Sequence, residues 1–109
     1  MFKIADNPTF TVTVPVFVPS DGGHRKETFK ATFAVVPTDE VARFDLGDEK
    51  GTREFLARAI VSLGDIAGED DQPIPYSDAL RDRVLGLPYA RLALARAYFD
   101  SVTKVRAGN

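Results

Sequence analysis

The chain has 109 residues and a formal net charge of −2, with 44 % hydrophobic and 28 % charged residues. This length and balance predict one globular domain, 1–109, with a modest core that has little apolar surface to spare. Acidic residues outnumber basic ones, so the chain lacks the positive electrostatic potential of a nucleic-acid binder. We therefore do not expect nucleic acid as a partner. The absence of cysteine excludes disulfides, thiolate catalysis and cysteine-ligated zinc.

The sequence predicts neither an export signal nor a membrane-spanning segment. The residues after Met1 lack the apolar stretch of an export signal, and no apolar run approaches the ~20 residues needed to span a bilayer. We therefore expect a cytoplasmic protein with no membrane contact.

Two alternating stretches predict a long antiparallel β-hairpin in residues 1–36. Apolar residues occupy every second position in 10–18, and the same period recurs in 27–35. The Asp-Gly-Gly sequence at 21–23 favours a tight turn between them. Pro15 has no amide proton for a ladder, which predicts that the first strand lies at a sheet edge or carries a bulge.

The remaining residues, 37–109, predict about four helices packed on the hairpin, which makes the fold class α+β. Threonine and serine N-caps, a proline at a first helical position and glycine stops define their ends. The predicted helices cover 38–46, 52–63, 77–85 and 88 to about 105. In this scheme Gly51 separates the first two helices, and Gly64 follows the second as a C′ glycine.

The connector 64–77, with the sequence GDIAGEDDQPIPYS, joins two predicted helices through an acidic turn and two prolines. Ser77 is expected to cap the following helix, while Ile74 and Tyr76 hold the connector to the core. The carboxylates do not follow the spacing of an EF-hand, which favours a solvated turn over a cation site. These carboxylates are Asp65, Glu69, Asp70 and Asp71.

Catalytic chemistry has little support in this sequence. His24 is the only histidine and lies in the hairpin turn, which is a poor place to hold a general base against a nucleophile. The glycines at 22–23 lack the lysine spacing and the following helix of a phosphate-binding loop. We expect a protein that is not an enzyme and uses no metal or cofactor.

The last predicted helix has an apolar arc that is wider than one core contact requires. Arg91 falls inside this arc and Arg106 near its edge, which suggests that part of the face meets a polar or acidic group. The alternating strand at 10–18 adds an unpaired edge that invites another chain. The residues predicted to contribute to partner or self contacts are Arg91, Tyr98, Phe99, Val102, Arg106, Thr11 and Thr13. The alternative, that the whole arc packs on the hairpin, stays open at this point.

Several stretches together carry a family resemblance that spans nearly the whole chain. They are the hairpin, FKATFAVVPTDE at 29–40, the helix ending at Leu63, the connector at 64–77 and LGLPYARLALARAYFDSV at 85–102. In these stretches the chain resembles the tail assembly chaperones of long-tailed bacteriophages. It departs from them at 63–65, where related sequences often carry a tryptophan and this chain reads Leu-Gly-Asp.

The resemblance implies a protein of the bacterial host cytoplasm that is left out of the finished virion. Such a chaperone keeps the long helical tape measure protein soluble and helps to recruit tail tube subunits around it. Self-association into a homo-oligomer is a further expected contact.

Two other function classes remain open beside this resemblance. A structural phage tail protein or head-tail connector subunit would use the exposed strand for ring assembly. A small nucleic-acid-binding or regulatory domain would act through the basic hairpin tip at 24–26.

Overall fold

The structure is a computed structural model that describes residues 1–104. The α+β prediction is confirmed, since a long N-terminal hairpin within a three-stranded antiparallel sheet is accompanied by four helices in the described part. The strands are β1 (Thr9–Ser20), β2 (Gly23–Ala34) and β3 (Ile60–Gly64), and the helices are α1 (Thr38–Val41), α2 (Glu49–Ala59), α3 (Asp78–Leu85) and α4 (Pro88–Thr103).

The two strands of the hairpin are longer than the alternating pattern predicts. β1 and β2 have 12 residues each and pair along their whole length, closed by the pair Ser20 and Gly23. Gly22 in the turn has φ +79°, a conformation that L side chains rarely adopt. In the strand order β1-β2-β3, β1 lies at an edge, which is where Pro15 was expected.

The prediction of one helix over 52–63 is wrong at its C-terminal end, because residues 60–64 form β3. β3 pairs antiparallel with β2, and Val61 is an extra residue at a bulge opposite Thr32 and Phe33. The bulge lets Ile60 and Leu63, three residues apart, both point into the core. An i,i+3 spacing is also the signature of a helix, so the bulged strand matched the helical pattern. Gly64 is consequently the last residue of a strand and not a helix cap.

The start of the same helix was also misplaced, because Gly51 lies inside α2 instead of before it. Asp48 is the N-cap residue, and the Thr52 hydroxyl donates to the Leu46 carbonyl at 3.1 Å instead of capping the helix. A Cβ built on Gly51 would lie 2.0 Å from the backbone oxygen of Asp45. Gly51 therefore allows the turn before α2 to pack directly against the helix backbone.

The core lies between the helices and one face of the sheet. The inward side chains of β1 and β2 alternate as the sequence predicts, while the opposite face of both strands stays exposed. The buried apolar residues are Val14, Val16, Phe29, Ala31, Phe33, Val36, Phe55, Leu56, Ala59, Ile60, Leu63, Leu80, Val84, Leu85, Ala90, Leu94 and Tyr98.

The connector adopts the shape that its sequence predicts. The Ser77 hydroxyl accepts a hydrogen bond from the Leu80 N–H at 3.0 Å, which caps α3. The Ile74 N–H donates to the Ile66 carbonyl at 2.8 Å and closes the acidic turn. Ile74 and Tyr76 pack against the core, so the connector is held in place by its apolar residues.

α4 begins with Pro88 in its first turn, as expected, and is the longest helix of residues 1–104. Its last residue is Thr103, followed by Lys104 with φ 41°. The predicted end near residue 105 lies outside the described residues. None of the described helices has the length and apolar character needed to cross a membrane.

Replacing Gly51 by alanine is expected to destabilise the fold by about 2 kcal/mol, because the new methyl group overlaps the Asp45 backbone. The higher helix propensity of alanine offsets only about 1 kcal/mol of the clash. The matched control is Gly47→Ala, since a Cβ there meets only the Asp45 Oδ1 at 3.5 Å. Urea unfolding should separate the two variants clearly, and equal stabilities would contradict the packing described here.

Candidate functional site

Tyr98 was predicted to meet a partner, and the structure places it inside the core with 1 % of its surface exposed. Its ring lies 5.3 Å from that of Phe33 and 5.0 Å from that of Phe55, both edge-on. Its hydroxyl accepts a hydrogen bond from the Val36 N–H at 2.9 Å. Tyr98 therefore has no surface to offer a partner, and it joins α4 to the end of the hairpin.

Phe99 and Val102 lie at the side of α4 and differ in exposure. Phe99 is partly buried and stacks on Phe55 at a centroid distance of 5.3 Å. Val102 is 39 % exposed and borders a shallow depression shared with Phe10 and Val12. Of Tyr98, Phe99 and Val102, Val102 has the largest exposed fraction.

Arg91 makes its polar contacts within the chain. Its guanidinium donates to the Leu85 carbonyl at 3.3 Å and lies 3.4 Å from the Glu49 carboxylate. Only 19 % of the side chain is exposed. The acidic group that Arg91 meets is thus on α2 of the same molecule, where it ties α4 to two other helices. Arg106 lies outside the described residues.

Thr11 and Thr13 are both exposed on the outer face of β1. The hydroxyl of Thr11 lies 2.8 Å from that of Thr32 on β2, which is a cross-strand hydrogen bond. Thr13 borders the groove between β1 and α4 that is described below. The structure therefore brings Thr13, but neither Thr11 nor Arg91, to that groove.

The groove runs between β1 and α4 and has a volume of about 600 Å³. We call it the β1–α4 groove. One wall consists of β1 and the start of β2, and the other consists of the outward side of α4. The lining residues are Val12, Thr13, Pro15, Phe17, Pro19, His24, Tyr89, Leu92, Ala93, Arg96, Ala97, Asp100 and Ser101. Most of these side chains are apolar, as expected of a surface that binds another molecule.

The free edge of β1 borders this groove, and its backbone groups can be assigned. The Val35 N–H donates to the Pro8 carbonyl, so the alternation of an antiparallel ladder directs even-numbered residues of β1 toward β2. Odd-numbered residues then direct their backbone groups toward the free edge. Thr9, Thr11, Thr13 and Phe17 offer N–H groups there, whereas Pro15 and Pro19 have none. The two prolines limit how far another strand can pair with β1.

The outward side of α4 supplies the second wall. At 100° per residue it lies opposite the buried side of the helix, and it repeats every three or four residues. Leu92 on this side is 52 % exposed, and Phe17 across the groove is 56 % exposed. The outward residues are Tyr89, Leu92, Arg96 and Asp100, and the buried ones are Ala90, Leu94 and Tyr98. The sequence shows the helical spacing of these outward residues. It does not show that they lie beside β1.

The charges of the groove balance one another. Arg96 and Asp100 are exposed, lie one helical turn apart and form no ion pair within residues 1–104. His24, which the sequence left as a solvated turn residue, borders one end of the groove. A neutral, mainly apolar groove with one residue of each sign favours neither a polyanion nor a polycation.

Two aspartates with left-handed backbone conformation and one side-chain hydrogen bond explain the shape of the acidic turn in the connector. Asp65 and Asp71 have φ values of 58° and 60°, and the Asp70 carboxylate accepts a hydrogen bond from the Gln72 N–H at 3.0 Å. Aspartate tolerates this left-handed conformation better than most residues. A search of the described residues for groups of three or more histidine, cysteine, aspartate or glutamate side chains able to hold a metal ion finds none.

Comparisons of the chain with protein-family models, with curated proteins and with solved structures find no match. The resemblance described under the sequence therefore rests on the quoted residues alone.

Removing the Tyr98 hydroxyl should reveal how much the Val36 hydrogen bond stabilises the fold. Tyr98→Phe leaves the buried Val36 N–H without its partner, and we expect a loss of about 1–3 kcal/mol in the free energy of unfolding. Tyr89→Phe is the matched control, because Tyr89 is partly exposed at the groove. A loss for Tyr98→Phe no larger than that for Tyr89→Phe would contradict a structural role for this bond.

Proposed function

We propose that this protein is a tail assembly chaperone of a long-tailed bacteriophage, and that its β1–α4 groove binds apolar segments of the tape measure protein. The role comes from the resemblance in the connector and in residues 29–40 and 85–102. We place the binding site in this groove because the groove is mainly apolar and lies beside an unpaired strand edge.

The chemistry of the groove suits an apolar helical client. A tape measure chain exposes apolar stripes on its helices until the tail tube encloses them, and an amphipathic helix can lay such a stripe into an apolar groove. Phe17 on β1 and Leu92 on α4 both line the β1–α4 groove, and each is more than half exposed. Covering them together with the client's stripe removes apolar surface from water on both partners.

Recruitment of tail tube subunits needs a surface that stays free while the groove is occupied. The middle of β2 lies outside the groove lining, and Thr28 and Lys30 are exposed there on the outer face of the sheet. We assign the second contact of the proposed chaperone to this face.

A structural subunit of the tail or of the head-tail connector is the second candidate function. The observation in its favour is the free edge of β1, which could pair with a neighbouring copy in a ring. Purified virions distinguish the two candidates, because a connector subunit is retained in them and a chaperone is left out.

The nucleic-acid alternative gains little from the hairpin tip. Arg25 is engaged by Glu27, whose carboxylate oxygen lies 2.6 Å from its Nε. This pairing cancels one of the two full positive charges of the tip and leaves Lys26 as the free one. Such a surface offers few contacts to phosphate groups, which disfavours binding to nucleic acid at physiological salt.

Co-expression with the tape measure protein encoded in the same phage genome tests the proposal. We expect the native chain to keep that protein in the soluble fraction and to co-purify with it. Leu92→Asp should reduce the soluble amount at least about tenfold, because a carboxylate would be buried against an apolar client. Circular dichroism of the variant alone checks that its fold is kept.

Val61→Asp is the matched control, since Val61 is an exposed apolar residue at the bulge of β3. It should leave solubilisation unchanged. A native chain that neither solubilises nor binds the tape measure protein would overturn the proposed function. A Leu92→Asp variant as effective as the native chain would overturn the groove as its site.

A further inference from the structure

We propose that residues 1–5 of the chain add as a strand to the free edge of β1 in a second copy, and that two copies exchange these strands about a two-fold axis near Asn7. We call residues 1–5 the N-terminal arm. The contact stands on the arm and on the edge that it covers, and it does not depend on the proposed function.

The N-terminal arm is apolar on one side and has no cover in the monomer. Residues 1–8 belong to no helix or strand, and all of them are exposed. Phe2 is 88 % exposed and Ile4 is 87 % exposed. Because these residues are two positions apart, an extended arm places both on one side and Lys3 on the other. A strand with one apolar side is normally covered on that side.

The start of β1 lacks the cover that the middle of the strand has. Phe10 and Val12 point to the same side as Val14 and Val16, which are 0 % and 4 % exposed, but they are only partly buried. Val102 in the last turn of α4 borders the same shallow depression and is 39 % exposed. The depression therefore has room for further apolar side chains.

The backbone of the edge matches the parity of the arm. Thr9 and Thr11 direct their N–H and C=O groups toward the free edge, because the even-numbered residues of β1 pair with β2. In an antiparallel addition, Ala5 lies opposite Thr9 and Lys3 lies opposite Thr11, and each pair exchanges both of its backbone hydrogen bonds. Lys3 then lies on the outer face beside the exposed Thr11, so its charge stays in water.

The same register brings the apolar side of the arm over the depression. Phe2 comes beside Val12, and Ile4 comes beside Phe10. Both apolar side chains extend the inner face of the sheet toward Val102 and remove it from water together with themselves. A domain of this size has a small core, so this additional burial stabilises it appreciably.

A second copy fits this edge better than the arm of the same copy. The Val35 N–H donates to the Pro8 carbonyl, so the chain is already in the β1 ladder at Pro8. The arm would have to reverse its direction within Asp6 and Asn7 to reach its own edge, and its exposure shows that it does not lie there. An antiparallel second copy needs no reversal, and one two-fold axis near Asn7 generates both contacts and closes the dimer.

An aspartate in the arm tests the apolar contact. Sedimentation velocity of the native chain at about 100 µM should show a dimer. Ile4→Asp should dissociate at least about tenfold more readily, because a carboxylate would be buried beside Phe10 of the other copy. Val61→Asp is the matched control, since Val61 is an exposed apolar residue on β3, away from this edge, and it should leave the dimer intact.

A pair of prolines tests the edge contact. Thr11→Pro removes an N–H that the arm uses and that β2 does not, so it should also weaken the dimer at least about tenfold. Thr13→Pro makes the same change two residues further along the same edge, beyond the arm, and should dimerise like the native chain. Circular dichroism checks that both variants keep the native fold.

Three results would each overturn the exchange of arms. They are a native chain that is monomeric at this concentration, an Ile4→Asp variant that dimerises like the native chain, and a Thr13→Pro variant as disrupted as Thr11→Pro. A monomer whose Thr11 amide exchanges slowly only while Ile4 is present would show that the arm covers its own edge, which also contradicts the exchange. None of these measurements uses the tape measure protein, so their outcome is separate from that of the proposed function.

Discussion

The position of Tyr98 under the sheet is the constraint on which the rest of the molecule depends. Its ring meets Phe10 and Phe33 of the hairpin on one side and Phe55 of α2 on another. Its hydroxyl accepts a hydrogen bond from the N–H of Val36, which lies just beyond the end of β2. One side chain thus fixes α4, α2 and the sheet relative to one another. No buried side-chain nitrogen or oxygen of the described residues lacks a hydrogen-bond partner.

The groove follows from this anchoring. Because α4 uses the side bearing Tyr98 for the core, the opposite side bearing Leu92 and Arg96 faces outward along β1. β1 pairs with a neighbouring strand on one side only. Pro15 and Pro19 have no N–H groups at its free edge, so a strand from another chain can pair with only a short part of β1. The molecule therefore presents one apolar groove with a protected edge, which suits reversible contacts better than open-ended sheet growth.

The sequence predicted the parts of the fold that depend on local rules. The two hairpin strands, the Ser77 cap and the Pro88 helix start were all expected, since alternation and capping act over a few residues. β3 was missed because the bulge at Val61 gives a strand the spacing of a helix. Gly51 was read as a helix stop because its contact with the Asp45 backbone is a tertiary feature.

The candidate site was harder to predict for a related reason. The apolar arc of α4 was recognised in the sequence, but its division into a core side and an outward side depends on where the sheet lies. Tyr98 and Arg91 were assigned to the outside, and the structure uses both to hold the core together. The β1–α4 groove joins residues about 80 positions apart in the chain, and no local pattern encodes that contact.

Residue-resolved hydrogen exchange of the backbone amides, measured for the chain alone and for the proposed complex with the tape measure protein, is the most direct test of the proposed binding site. Binding in the β1–α4 groove predicts slower exchange at the edge amides of Thr13 and Phe17 and along the outward side of α4, with β3 unchanged. Protection confined to β3 or to the hairpin tip, with β1 and α4 unaffected, would contradict it.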